Sequence, residues 1–343
     1  MSVDVLPFDI AAPNDLAALA DAVDAIGADS IVRMALFLRV PGEYEDGSRE
    51  TARAALEAFL SARALGGRCE YITVIGTEGV TTACGYALIE TTSPSKDAKT
   101  RRLAIGLARS GPPEEAEIGT AGFAHEAAEV VRRAMLDGGL DAADVETVIV
   151  NVPQATSGHV PTRARRGRAA AALGAGIAIG EIDANAVTDA RIVDDPELYA
   201  PRVQTYTGPA IENIEVIVIG NKAGAGGDLV ACNTITQDLI DGRSIKRMLI
   251  RAGFTLDGDG EIVTGDRLVA TIAKLGAAPD GVVRGAPTAI YTSATPPEKH
   301  LRAAMSGVLG ATLHTTRIFS TVDPVQQAPL GGGTICCIVR AAD

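Results

Sequence analysis

A helix that ends at glycine and is followed by a β-strand occurs three times along this chain, and this repetition limits the possible folds most strongly. Apolar residues at helical spacing predict the helices, and β-branched apolar runs predict the strands. The predicted helices cover 49–65, 125–136 and 244–252, and the strands that follow them cover 71–75, 145–152 and 267–273. The recurrence predicts an internal threefold repeat of α/β units.

Two apolar runs that end in glycine, ITVIG at 72–76 and VIVIG at 216–220, predict equivalent strands in two of the units. A polar stretch at 91–101 and a glycine-rich stretch at 221–228 mark candidate boundaries. They divide the chain into three predicted units, each large enough for a small domain, at 1–100, 101–222 and 223–343.

Charge and composition exclude several classes of partner. The net charge of −12 argues against a basic groove for nucleic acid or anionic lipid. Aromatic residues are only 3% of the chain and Trp is absent, so a base-stacking surface lacks its side chains. No apolar stretch reaches the roughly 18 residues that a membrane span needs. We therefore expect a small-molecule partner, with neither nucleic acid nor membrane.

Cysteine and histidine usage argues against disulfides and metal. The five cysteines form no CxxC pair, and no secretory leader is apparent, so we expect a cytoplasmic protein without a disulfide framework. Cys336 and Cys337 are predicted to be buried strand residues. The four histidines, His125, His159, His300 and His314, have no metal-ligand spacing. We therefore expect neither a metal nor a cofactor.

Two charged residues near the ends of apolar runs are candidates for chemistry. Lys274 lies inside ATIAKLG, and in a dry pocket desolvation would favour its neutral form, which can act as a base. A lysine whose stem covers apolar surface at a strand end is the alternative. Arg284 follows a Pro-Asp-Gly turn, and its guanidinium suits a carbonyl-rich or carboxylate ligand, or else a surface ion pair.

Hydroxyls and glycines near the C-terminus form a second candidate group. Ser320 and Thr321 end an apolar segment, and the glycines at 331–333 follow. Consecutive glycines let backbone N–H groups approach a ligand closely, although they also form ordinary tight turns. The glycines at 224–227 do not have GxGxxG spacing, so a dinucleotide-binding loop is rejected.

Several segments, in order over nearly the whole chain, resemble the ring-opening amidohydrolases of the cyanuric acid hydrolase and barbiturase family. The matching segments are 76–80 (GTEGV), 126–138 (EAAEVVRRAMLDG), 172–174 (ALG), 273–274 (AK), 278–285 (APDGVVRG) and 329–333 (PLGGG). The resemblance implies three similar α/β units with pseudo-threefold symmetry around a central active site. It also implies hydrolytic opening of a cyclic imide or ureide without a catalytic metal, and a homo-oligomer, commonly a tetramer.

The same resemblance implies that each unit contributes a Lys, a Ser and an Arg to the centre. Arg49, Arg168 and Arg284 match the substrate-binding arginines of the family. Three guanidinium groups that converge on a ring can hold its carbonyl oxygens and stabilise negative charge as it develops.

Most of the lysines and serines of the family are replaced in this chain. The first lysine falls near 37–39, the second on Asn151, and only the third is retained, as Lys274. The serine positions carry Val74, Tyr206 and Thr321, with Ser320 one residue from the last. An acidic ligand for a structural cation falls on Val325, so no metal is expected. The candidate catalytic residues are Lys274, Ser320, Thr321 and Tyr206, and the candidate substrate-binding residues are Arg49, Arg168, Arg284, Gly76, Gly208 and Asn151.

Three hypotheses follow from these replacements. The first is a cyclic amide hydrolase for a ring other than cyanuric acid or barbiturate, with Lys274 as base and Ser320 or Thr321 as nucleophile or water-orienting group. The second is non-hydrolytic chemistry on the same scaffold, such as ring closure, tautomerisation or a lyase reaction, in which Lys274, Tyr206 and the arginines handle an enolate or carboxylate. The third is a non-catalytic homologue with an apolar plug at its centre.

Overall fold

The computed structural model describes residues 1–42, 46–76, 79–93, 99–155, 160–208, 210–289 and 297–342. The side chains of 160, 161, 297–300 and 302 lie outside this description. The first unit consists of β1 (Ser2–Asp9), α1 (Ala17–Ile26), β2 (Ile31–Val40), α2 (Ser48–Ala62), β3 (Cys69–Ile75) and β4 (Cys84–Thr91).

The second and third units repeat this order of elements. The second consists of β5 (Arg101–Arg109), α3 (Ala121–Gly138), β6 (Val145–Pro153), α4 (Val160–Ala178), β7 (Val203–Gly208) and β8 (Glu215–Ala223). The third consists of β9 (Leu229–Ile235), α5 (Gly242–Arg251), β10 (Leu268–Leu275), β11 (Val282–Val283), β12 (Ala286–Pro287), α6 (Pro297–Leu313), β13 (Phe319–Val322) and β14 (Thr334–Arg340). The β11–β12 hairpin has no counterpart among the strands described in the other two units.

The three four-stranded sheets share one topology. Their strand orders are β1-β4-β2-β3, β5-β8-β6-β7 and β9-β14-β10-β13. The parallel pairs are β2 with β3, β6 with β7 and β10 with β13, and the other neighbours in each sheet pair antiparallel. A parallel pair needs a crossover, and α2, α4 and α6 provide it. The predicted α/β fold of three similar units is therefore confirmed.

The predicted correspondence between units was wrong in the first unit. The helix–strand pairs at 125–152 and 244–273 are α3–β6 and α5–β10, but the pair at 49–75 is α2–β3. The pair in the first unit that corresponds to α3–β6 and α5–β10 is α1–β2, because each unit contains two helix–strand pairs that share the same signal. For the same reason 72–76 in β3 and 216–220 in β8 are not equivalent, since β8 corresponds to β4.

The inner faces of the three sheets meet in one apolar core. Side chains alternate between the two faces of a strand, so each sheet packs its helices on one face and the other sheets on the opposite face. Phe37 and Phe319, from the first and third units, have ring centroids 5.3 Å apart, and Tyr206 of the second unit lies 5.9 Å from Phe319. Cys336 and Cys337 on β14 are fully buried, as predicted.

The parallel strand pairs of all three units end next to this core, and their last residues surround one central space.

In the part of the chain that the structure describes, no helix is long and apolar enough to cross a membrane.

Candidate active site

A cavity of about 590 Å³ lies where the three units meet, at the ends of β2, β3, β6, β7, β10 and β13. Its walls contain every candidate site residue from the sequence except Arg284. The lining residues from those candidates are Lys274, Ser320, Thr321, Tyr206, Arg49, Arg168, Gly76, Gly208 and Asn151, and Arg39 and Asp323 join them. Charged and polar side chains of all three units are among the lining residues, so the space is not filled by the apolar plug expected of a non-catalytic homologue.

The strand register explains why these residues converge. In the three parallel pairs, Arg39 lies opposite Val74, Asn151 opposite Tyr206, and Lys274 opposite Thr321. The three pairs occupy equivalent positions because the three sheets share one topology. The repeat therefore brings three chemically different pairs to one centre.

Lys274 is buried at the end of β10, with only 3% of its surface exposed. Its Nζ lies 4.5 Å from the centroid of the Tyr206 ring. Burial, and after it the nearby positive charge of Arg168, hold the pKa of Lys274 well below the ordinary value, while Asp323 opposes this effect. A neutral amine at this position can accept a proton, which is the property that a general base requires.

The two candidate hydroxyls have different surroundings. Thr321 shares the strand face of Lys274, because directly opposed residues in a ladder lie on the same side. The Thr321 Oγ1 is buried, and no hydrogen bond to it is formed within the described residues. Ser320, the next residue in the strand, points the other way, and its Oγ and carbonyl oxygen both accept from Arg39 Nη1 at 2.6 Å.

Tyr206 contributes its ring to the floor of the cavity. Its hydroxyl donates to Gln204 Oε1 at 2.8 Å. Burial raises the pKa of Tyr206, and its proximity to the Thr321 hydroxyl only partly opposes this. The phenol therefore stays protonated, and its contact with Lys274 is made through the ring face.

Arg49 and Arg168 reach the cavity from α2 and α4, which are equivalent helices. Arg168 donates to the carbonyl oxygen of Asp323 at 2.8 Å and to its Oδ2 at 2.5 Å. Burial disfavours the charged form of Asp323, but Arg168 and Arg165 hold the pKa of its carboxyl below the ordinary value. Asp323 therefore fixes the Arg168 guanidinium at the cavity wall.

Guanidinium groups pack against Gly76 and Gly208, so a side chain at either position would displace them. A Cβ atom at Gly76 would lie 2.6 Å from Arg39 Nε, and one at Gly208 would lie 3.3 Å from Arg49 Nη1. Both glycines line the cavity, and their part in it is to leave room for the arginines.

Arg39 is one of the cavity residues that the sequence analysis did not select, as is Asp323. The Arg39 side chain is 5% exposed and lies at the end of β2. The available signal was its position in the 37–39 segment, where the first lysine of the related family falls. Only the register with Val74 identifies it as the counterpart of Asn151 and Lys274.

Arg284 lies outside the cavity, which corrects its predicted place beside Lys274. It lies in the turn between β11 and β12, at φ 50°, and its exposed guanidinium binds Asp238 at 2.6 Å. Arg49 and Arg168 belong to crossover helices, and the equivalent helix in the third unit is α6. The local motif APDGVVRG therefore pointed to a hairpin that, among the described residues, is found in the third unit alone.

The described residues contain no group of three or more His, Cys, Asp or Glu side chains that could hold a metal ion. His159, Thr77 and Glu78 lie outside the described residues, as does the side chain of His300. Val325 is buried in the core of the second unit.

Comparison with known proteins places the whole chain in one group. A family profile described as "Amidohydrolase ring-opening protein" matches residues 4–340. A cyanuric acid amidohydrolase from Methylobacterium sp. is 31% identical over 98% of this chain and 96% of its own, and one from Enterobacter cloacae is 30% identical over 100% of both. A solved cyanuric acid hydrolase, described as an innovation by structural concatenation, matches 99% of both chains with a TM-score of 0.88 and 26% identity.

Proposed function

Because the chain belongs to the family of ring-opening amidohydrolases, we propose that it opens a cyclic amide by hydrolysing a ring C–N bond. The relatives whose names state this activity cover essentially the whole chain, so the proposal requires no additional domain.

The observation that carries the proposal is the pairing of Lys274 with Thr321 across the β10–β13 ladder, in a cavity lined by arginines. A neutral lysine can take the proton of a hydroxyl, and the hydroxyl oxygen can then attack a ring carbonyl. Thr321 is favoured over Ser320 because the Ser320 Oγ is engaged by Arg39 and lies on the other strand face.

The proposed reaction has two steps. Thr321 Oγ1 forms a bond to the ring carbonyl carbon, the C–N bond breaks, and the proton held by Lys274 passes to the leaving nitrogen. A water molecule then attacks the ester, with Lys274 again as base, and yields the carboxylic acid and the free threonine. Arg39, Arg49 and Arg168 line the space around the carbonyl and can stabilise the negative charge on its oxygen.

We also propose that the substrate is a ring other than cyanuric acid. The three equivalent positions around the cavity present a guanidinium, an amide and an amine, from Arg39, Asn151 and Lys274. A ring with three identical sides gains nothing from three different neighbours. Less symmetric cyclic imides, ureides and lactams match this lining better.

The test is turnover of a panel of cyclic imides, ureides and lactams, with product analysis, by the native protein and by Lys274→Ala. The proposal predicts a ring-opened acid or amide from at least one compound and loss of that product in the variant. Product formation that Lys274→Ala leaves intact would overturn the assignment of the base, and absence of any ring opening would overturn the function.

Non-hydrolytic chemistry on an enolate or carboxylate is the second candidate. The arginines that line the cavity favour it, since such substrates are anionic. The orientation of Tyr206 does not, because its hydroxyl donates to Gln204 and only its ring faces Lys274. A dependence of turnover on the Tyr206 hydroxyl, measured with Tyr206→Phe, would favour this candidate over hydrolysis.

A further inference from the structure

We propose that Glu215 fixes the side-chain amide of Asn151 so that its oxygen faces the cavity and accepts a hydrogen bond from a ring N–H. This inference rests on the proposed function and assigns two residues to substrate selectivity: Asn151 as a binding residue and Glu215 as a positioning residue behind it.

The contact between the two side chains determines the orientation of the amide. Asn151 and Glu215 lie opposite each other in the β6–β8 ladder, and Asn151 Nδ2 donates to Glu215 Oε2 at 2.8 Å. An ionised carboxylate can only accept hydrogen bonds, so the amide nitrogen and not the amide oxygen must face it. The oxygen is then directed away from Glu215.

The direction away from Glu215 is the direction of the cavity. Asn151 lines the central cavity, whereas Glu215 borders a separate cavity of about 720 Å³ between the first and second units. Asn151 is 4% exposed, so its amide is held between the two spaces. The Asn151 Oδ1 atom therefore faces the central cavity, where it can accept a hydrogen bond from a bound ring.

Arg109 supplies the positive charge that keeps Glu215 an acceptor. The Arg109 Nη2 lies 3.5 Å from Glu215 Oε1 and 2.9 Å from Glu70 Oε2. Burial raises the pKa of both carboxyls, that of Glu70 to about 7, and Arg109 opposes the shift in each case. The guanidinium therefore lies between the two carboxyl groups and favours the ionised form of each.

The other two units offer no such arrangement. The residues opposite Arg39 and Lys274 in the corresponding ladders are Cys84 and Thr334, and neither is a carboxylate. The guanidinium groups of the cavity only donate, which suits ring carbonyls, but a ring N–H needs an acceptor. An acceptor or N–H left unpaired in a buried site costs affinity, so this position discriminates between N–H and N-alkyl rings.

The experiment measures binding at pH 8 on a Thr321→Val background, where the ring is not consumed. The probes are two pairs, glutarimide with N-methylglutarimide and cyanuric acid with 1,3,5-trimethylisocyanurate, and the readout is the ratio of dissociation constants within each pair. We expect the N–H ring to bind at least about tenfold tighter, the order of one buried hydrogen bond. We expect Glu215→Gln to reduce this ratio at least fivefold, because a glutamine amide can also donate to Asn151 Oδ1.

The matched control is Glu70→Gln, which alters the same Arg109 network without touching Asn151. Glu70→Gln should leave the ratio of dissociation constants as it is in the Thr321→Val background. Asn151→Leu should abolish the preference for the N–H ring. A ratio that Glu215→Gln leaves unchanged, or that Glu70→Gln reduces as much, contradicts the inference. So does the lack of any preference for the N–H ring in both pairs. Ring opening that depends on Lys274 would still support the proposed function in each of those cases.

Discussion

Lys274 and Thr321 lie directly opposite each other at the ends of the parallel strands β10 and β13, and both side chains line the central cavity. The equivalent pairs in the other units are Arg39 with Val74 and Asn151 with Tyr206. Only the third unit therefore combines an amine that loses its proton readily with a hydroxyl that can act as nucleophile. This asymmetry within a threefold frame is the basis of the predictions below.

The pH dependence of activity should report the neutral form of Lys274. Because the pKa of Lys274 is held well below 10.5, kcat/KM should rise with pH and reach its plateau well below that value. Lys274→Arg keeps a positive charge but cannot act as a base, so kcat should fall by about 10²–10⁴. A pH profile from 5 to 10 on both proteins checks this. An ascending limb near pH 10.5, or a variant that retains the native rate, would contradict the role.

Gly76→Ala should reduce activity without unfolding the protein. The new methyl group would lie 2.6 Å from Arg39 Nε and must displace the guanidinium that binds Ser320. We expect kcat/KM to fall about tenfold or more, as for a misplaced electrostatic group. Gly67→Ala is the control, since a Cβ there meets no atom within 4 Å. Equal activity of the two variants would show that Arg39 is not needed where it lies.

The two arginines that the sequence grouped together should behave differently. Arg168→Ala removes a guanidinium that Asp323 holds at the cavity wall, and we expect kcat/KM to fall about 10²-fold. Arg284→Ala breaks only an exposed ion pair with Asp238, so kcat/KM should stay within about twofold of the native value. Steady-state kinetics on both variants decide this. A large loss in Arg284→Ala would restore the original assignment.

The stability of the interface between the first and second units should depend on pH through Glu70. Its pKa rises from 4.5 to about 7 on folding, chiefly through burial, so the folded protein binds the proton more tightly than the unfolded chain. The stability that Glu70 contributes is fully present below pH 4.5 and is lost as the pH rises through 7. The Tm of the native protein minus the Tm of Glu70→Gln should therefore decrease from pH 5 to pH 8. The exposed Glu114→Gln is the control, for which this quantity should not change in that way. An increase of the native-minus-Glu70→Gln value with pH would contradict the prediction.

Local patterns predicted much of this fold, and their limits have physical causes. Helix periodicity and glycine stops are local, so the repeated α/β units were readable from the sequence. The correspondence between units was not, because α2–β3 and α3–β6 present the same local signal and only the sheet order separates them.

In the candidate site, too, some residues were identifiable from the local sequence and others were not. Lys274 was identifiable because a charged residue inside an apolar run requires a special environment. Arg39 and Glu215 were not, because their roles depend on pairing with Val74 and Asn151 across a sheet, and such register is set by residues distant in sequence. Arg284 was misplaced because a matching motif fixes local sequence and not the direction in which a turn presents its side chain.

The most direct test of the account is mass spectrometry of the protein mixed with a ring that it opens, quenched during turnover. We predict an adduct with the mass of the opened ring on the peptide that contains Thr321. It should be absent in Thr321→Val, whose kcat should fall by about 10³ or more, and it should persist in Ser320→Ala. An adduct on Ser320, or turnover that survives Thr321→Val with no adduct in the native protein, would contradict the assignment of Thr321 as the nucleophile.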